Sequence, residues 1–364
     1  MTTTRRGALT GLGAAGLGLA GLAATAQPAV ADSSGRSGLP VLAPVDGNDW
    51  TALLAETPRV QLVPGATYVL DRTADLPDEC LIEGNGAIVT VAGGAIGALA
   101  ATSRRNVTIR GVRFLGQDGE VVNAPAEFGH VGLRLTRCTN VRVLDCDFQR
   151  WRGAGVVVTG AAADNYFDYR VKLQGNSFER CYIGVSLADR SEYSLLSDNH
   201  FSYCRLGIWS SSGNWTVTGN VLQNCYGAYY AIAATSPYGA LAADNWNHGS
   251  VVGNTFNHSN GSGGSVRWTT NLAFPVGGVD RDPGRGVTIE GLLPPTFTGN
   301  TLWYTDVRAS RLVGTRWLLS GCTFSNLTIT GDGAVPVHLV GTQANGAANL
   351  PRLVGNVVDL LPWP

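Results

Sequence analysis

The residues of this 364-residue chain that could do chemistry on a large polar ligand are aromatic and guanidinium side chains at matched intervals. Arg152, Tyr182, Arg205 and Tyr226 hold corresponding turn positions, while Arg134, Trp209 and Tyr229 each lie two residues beyond a recurring glycine. Trp246 and Trp268 stand on long loops nearby in the chain. An aromatic face stacks on the C–H face of a sugar ring, and a guanidinium binds carboxylate or sulfate oxygens through two parallel hydrogen bonds. The set suits an acidic polysaccharide or oligosaccharide, with Arg134, Arg152, Trp209, Tyr229, Trp246 and Trp268 as its binding residues.

Two reactions compete at such a strip. In β-elimination a base removes the proton α to a uronate carboxylate while Arg, Ca²⁺ or another cation offsets the enolate charge. Arg205, flanked by Tyr182 and Tyr226, is the candidate base or carboxylate clamp. In glycoside hydrolysis or intramolecular glycosyl transfer, two carboxylates flank the bond. The available pairs are Asp189 with Glu192, or Asp244 with a carboxylate of a longer loop. Neither set is a motif, and surface Tyr and Trp also shield backbone, so a non-enzymatic carbohydrate-binding or surface structural protein is the third reading.

Positioning these residues requires a repeating scaffold, and the chain supplies one. Asn176, Asn199 and Asn220 are 23 and 21 residues apart, as are Cys181, Cys204 and Cys225, and glycines 184, 207 and 227 keep nearly the same step. A period in this range means a solenoid. Each unit holds three runs too short for helices, broken by Gly and Asn, which predicts a parallel β-helix. Copies continue outward through Cys146, Asn254, Asn300, Cys322 and Asn356. Asn at a sharp bend tolerates left-handed backbone and can bond its amide to adjacent coils. Phe148, Phe178, Phe201, Leu222 and Phe256 should fill the tube. Residues 48–55 read as a short amphipathic helix capped by Asn48 or Asp49, placed to plug its open end.

The repeat, together with the first-strand segment Val63-Pro-Gly-Ala-Thr-Tyr-Val-Leu70, resembles the pectin-lyase-like right-handed parallel β-helix superfamily, in particular its pectate-lyase and tailspike-like members. The resemblance covers nearly the whole chain and is architectural. It implies a ligand groove along the strands that follow the repeat glycines. Taking the residue after each glycine as inward places Leu133, Val156, Val185, Ile208 and Ala228 in the core. Strand alternation then points Arg134, Val157, Ser186, Trp209 and Tyr229 at the groove. The Asp-rich calcium set and Arg-x-x-Arg-like pattern of pectate lyases are not found, nor is the Asn-x-Asp, Asp-Asp, His-Gly and Arg-x-Lys series of polygalacturonases, so the two commonest activities of the superfamily are not supported residue by residue.

The N-terminus, with Arg5-Arg6, a Gly/Ala/Leu run and Ala29-Val-Ala31, looks like a twin-arginine signal with its cleavage site. Residues 1–31 are therefore expected to be a signal peptide and 32–364 one secreted β-helix domain, with no later stretch long enough to span a membrane. A net charge of −1 argues against nucleic acid as a partner. The seven cysteines fall mostly on the repeat's interior rows, which favours buried free thiols over disulfides. The chain has no C-x-x-C pair of the kind that would suggest zinc.

Overall fold

A computed structural model describes residues 38–360 apart from 45–48, 94–95, 118, 161–167, 240–248, 260–267, 269–273, 277–278, 283 and 292. The expected signal peptide, Asp244 and Trp246 lie outside the described residues. From Gly38 onward the chain is a single compact unit.

Each complete coil contributes one strand to each of three parallel sheets, and sheet A gains one further strand at either end. The coil beginning at Lys172 shows the order: Lys172–Gln174 joins sheet A, Ser177–Glu179 joins sheet B, and Ile183–Ala188 joins sheet C. Among the described residues sheet A has thirteen strands and sheets B and C eleven each. The chain is thus a right-handed parallel β-helix, as the repeat predicts. The cap is also found. Asp49 accepts from the backbone N–H of Ala52 at the start of the helix Trp50–Glu56. Trp50 and Leu54 are buried against the first coil, with the Trp50 ring 5.4 Å from that of Tyr68.

Inside the tube, like stacks on like because parallel coils repeat in register. Phe114, Phe148, Phe178 and Phe201 form a column with ring centroids 4.7, 5.1 and 4.7 Å apart and nearly parallel faces. The column dictates the repeat glycine. A Cβ on Gly184 would lie 2.6 Å from the carbonyl oxygen of Gly207 and 2.7 Å from the Phe201 ring.

The asparagine row runs through five coils. Asn176, Asn199, Asn220 and Asn254 each donate their backbone N–H to the Oδ1 of the next Asn at 2.9–3.0 Å. Their Nδ2 groups donate back to carbonyls of the preceding coil, as Asn220 does to Leu196 at 2.9 Å. The left-handed residue at this corner is not the asparagine but the one before it: Asp145, Gly175, Asp198, Gly219, Gly253 and Gly299. Cys146 and Cys322 stand at the two ends of the row, with the Cys146 N–H bonded to Asn176. All seven cysteines are free and buried.

Candidate functional site

The outer face of sheet C carries the strip that the sequence singles out, and register decides which residues belong to it. Leu133, Val156, Val185, Ile208 and Tyr229 share one rung position, and Arg134, Val157, Ser186, Trp209 and Tyr230 the next. Tyr229 therefore points into the main core and Tyr230 takes the outward place expected of it. The cause is a single residue. Cys181 and Cys204 precede their glycines by three positions, whereas Cys225 precedes Gly227 by two. Gly227 pairs with Leu206 rather than with Gly207, and counting strand phase from it inverts every side chain beyond.

The outward row is also covered. Val157, Ser186 and Trp209 are fully buried and Tyr230 nearly so. They form a second apolar layer outside the tube with Tyr182, Tyr238 and Phe274, against which Ala126 and Phe128 pack. Phe274 belongs to the antiparallel ribbon of Phe274–Val276 and Val279–Arg281. Its ring sits 5.0 Å from Tyr182 and 5.8 Å from Trp209. Trp209 is thus a packing residue in this structure and does not lie open to a groove, because insertions at both edges of sheet C fold over it. Arg134 stays exposed and lies 5.4 Å over the Tyr238 ring.

At the entrance to sheet C the structure brings Arg205, Tyr226 and Trp268 together and adds two residues from the insertion 258–285. The Arg205 guanidinium lies 4.0 Å from the Tyr226 ring centre and 5.9 Å from that of Trp268. Arg285 reaches the same Tyr226 ring at 5.2 Å. The Tyr226 hydroxyl donates to Asp282 Oδ2 at 2.7 Å, and Asp282 Oδ1 accepts the Gly284 N–H at 3.0 Å. Arg205 is fully buried, which pulls its guanidinium below the usual range despite the nearby tyrosines and Asp282. Burial, reinforced by the bond to Asp282, holds the Tyr226 hydroxyl protonated above its usual range. Asp282 is exposed, and Arg285 and Trp268 are half-buried. Solvent thus meets Asp282, Arg285 and Trp268, with Arg205 beneath them.

Tyr182 also faces Arg205, as the sequence predicts, whereas Arg152, Asp189 and Glu192 are separated from this cluster. Tyr182 is buried under Phe128 and Phe274. Arg152 is ion-paired to Glu127, donates to the Pro125 carbonyl, and through its backbone N–H donates to His130 Nδ1 at 3.0 Å. Burial and the Arg152 charge push the His130 imidazole down to about 4. At the exit from sheet C, Asp189 and Glu192 are both buried; Glu192 accepts from Asn214 Nδ2 at 2.8 Å. Asp189 sits beside Asp168, whose carboxyl burial raises to about 9 and so keeps protonated near neutral pH. The Asp189 and Glu192 side chains therefore do not stand across an open cleft. Among the described residues no group of three or more His, Cys, Asp or Glu could hold a metal ion.

The scaffold defines the class: a single-chain parallel β-helix. The family model described as adenovirus EB1 55K protein / large t-antigen matches residues 41–236, and the chain belongs to that family. No curated protein matches the sequence. Among solved structures, the N-terminal fragment of bacteriophage phi29 gene product 12 is similar in fold, with a TM-score of 0.51 at 12% identity over 86% of this chain and 63% of that one. The catalytic domain of a GH87 alpha-1,3-glucanase variant in complex with nigerose gives 0.47 at 11% identity over 90% and 68%. A tailspike variant of E. coli bacteriophage HK620 in complex with pentasaccharide gives 0.48 at 11% over 84% and 64%.

Proposed function

We propose that this protein is an exported, polysaccharide-active β-helix that cleaves an acidic chain by β-elimination at the lip formed by Tyr226, Asp282 and Arg285. The observation that carries the reading is two guanidinium groups converging on one tyrosine ring whose hydroxyl is bonded to an exposed carboxylate. In this reading Arg285 pairs with the uronate carboxylate and offsets the charge of the enolate. Asp282 accepts the proton from the carbon α to that carboxylate. The electron pair forms a carbon–carbon double bond, the bond to the leaving oxygen breaks, and Tyr226, held protonated, donates to that oxygen. Trp268 offers a stacking face beside the lip. Arg205, buried below the ring, is a positioning residue here rather than the base.

The test is ultraviolet absorbance of the unsaturated product on a panel of uronic-acid polymers, with and without a chelator to detect a Ca²⁺ requirement. Arg285→Ala should lower the rate about 10²-fold, the scale of losing one charge-stabilising donor, with unchanged thermal stability. An unaffected Arg285→Ala enzyme would remove the assignment. Reducing ends without the chromophore would indicate hydrolysis, and retention of polymer without release would indicate a binding protein.

A further inference from the structure

Sheet B has an outer face of its own, and its chemistry changes along the solenoid. Toward the N-terminus its outward positions include Arg113, Asp147 and Glu179, and Arg113 is ion-paired to Asp147. From Val221 onward one outward row reads Val221, Thr255, Thr301, Thr323, Gln343, and the other Gln223, Asn257, Trp303, Ser325. None of these side chains carries a charge. In the middle of this stretch Trp303 is 40% exposed, although a tryptophan is normally well covered.

Trp303 lines a cavity of about 330 Å³ together with Thr301, Thr323, Ser325, Gln343 and Asn345. A second cavity, of about 440 Å³, is lined by its chain neighbour Tyr304 with Asp306, Asn326, Thr328, Leu350 and Arg352. Tyr304 extends the aromatic ridge: its ring centre is 6.4 Å from that of Trp303 and it stacks on His258 at 4.9 Å.

We infer that this face is a second carbohydrate-binding site, specific for a neutral oligosaccharide lying across the coils on Trp303. An exposed indole supplies the stacking face for an apolar sugar surface. The threonine hydroxyls and the Gln343 and Asn345 amides supply both donors and acceptors, which is what a sugar hydroxyl requires. Among the described residues, the lining of the Trp303 cleft offers no cation to an acidic or phosphorylated ligand and no anion to a basic one. Adjacent coils repeat these groups about every 4.8 Å, so successive sugar units meet similar partners. The site lies on a different sheet from the Tyr226 lip and does not depend on the reaction proposed there.

The experiment is isothermal titration of the full chain with maltohexaose, cellohexaose and laminarihexaose, and with an oligogalacturonate as the charged control. At least one neutral hexasaccharide should bind. Trp303→Ala should weaken it roughly tenfold, the scale of one lost stacking contact, and Trp303→Phe should restore part of the affinity. Arg285→Ala should leave neutral binding unchanged, so failure at the lip and failure here are separable. The inference is overturned if none of the three neutral sugars binds, or if Trp303→Ala, with unchanged thermal stability, binds them as the wild type does.

Discussion

Asp168 shows what burial does to a single residue. Its side chain is fully buried, accepts the Cys138 N–H and faces the charge of Asp189. Burial is the largest cause of its shift from 3.8 to about 9. The folded protein therefore holds a proton that the unfolded chain releases across that window. Stability from this group is complete below pH 3.8 and is lost as pH rises toward 9. Asp168→Asn should flatten the decline, measured as urea midpoints across the window. Parallel declines in both proteins would show that another group is responsible. Nothing in the local sequence reveals this carboxyl, because the solvent it loses is displaced by coils 30 residues away. Trp209 teaches the same point in reverse. Alternation places it outward, which is correct, but outward is not exposed when Phe274 arrives from a distant insertion.

At the scale of the element, the asparagine row is a single hydrogen-bonded object spanning five coils. Asn220 accepts from both the backbone and the side chain of Asn199, and donates to Leu196 and Asn254. Asn220→Ala strands these buried groups where water cannot replace the lost partners. The expected cost is about 3 kcal/mol, read from chemical denaturation, and a cost near zero would mean the row is decorative. The row was legible from spacing alone, since equal steps force equal environments in a solenoid. The phase of the strand after Cys225 was less legible. Two spacing signals conflict there, and the cysteine row, anchored inside the tube, governs register while the glycine does not. Tyr230 could have been found by counting from the cysteines.

For the molecule as a whole, the seven buried free thiols offer a measure of integrity. Burial raises the thiols of Cys80, Cys138 and Cys146 to about 12, which suppresses the reactive thiolate. A thiol reagent should find no fast-reacting group in the native protein and all seven after denaturation, whereas a lower count in denaturant would reveal a disulfide. By itself the sequence determined the architecture: a periodic chain puts each residue type above its own kind, so Asn, Phe and Cys rows, strand count per turn and the capping helix follow from local chemistry. Only the tertiary structure decided the surface. Insertions have no period, and their long-range contacts covered Trp209, brought Trp268, Asp282 and Arg285 to the lip beside Arg205 and Tyr226, and left Trp303 open on the opposite chemistry of sheet B.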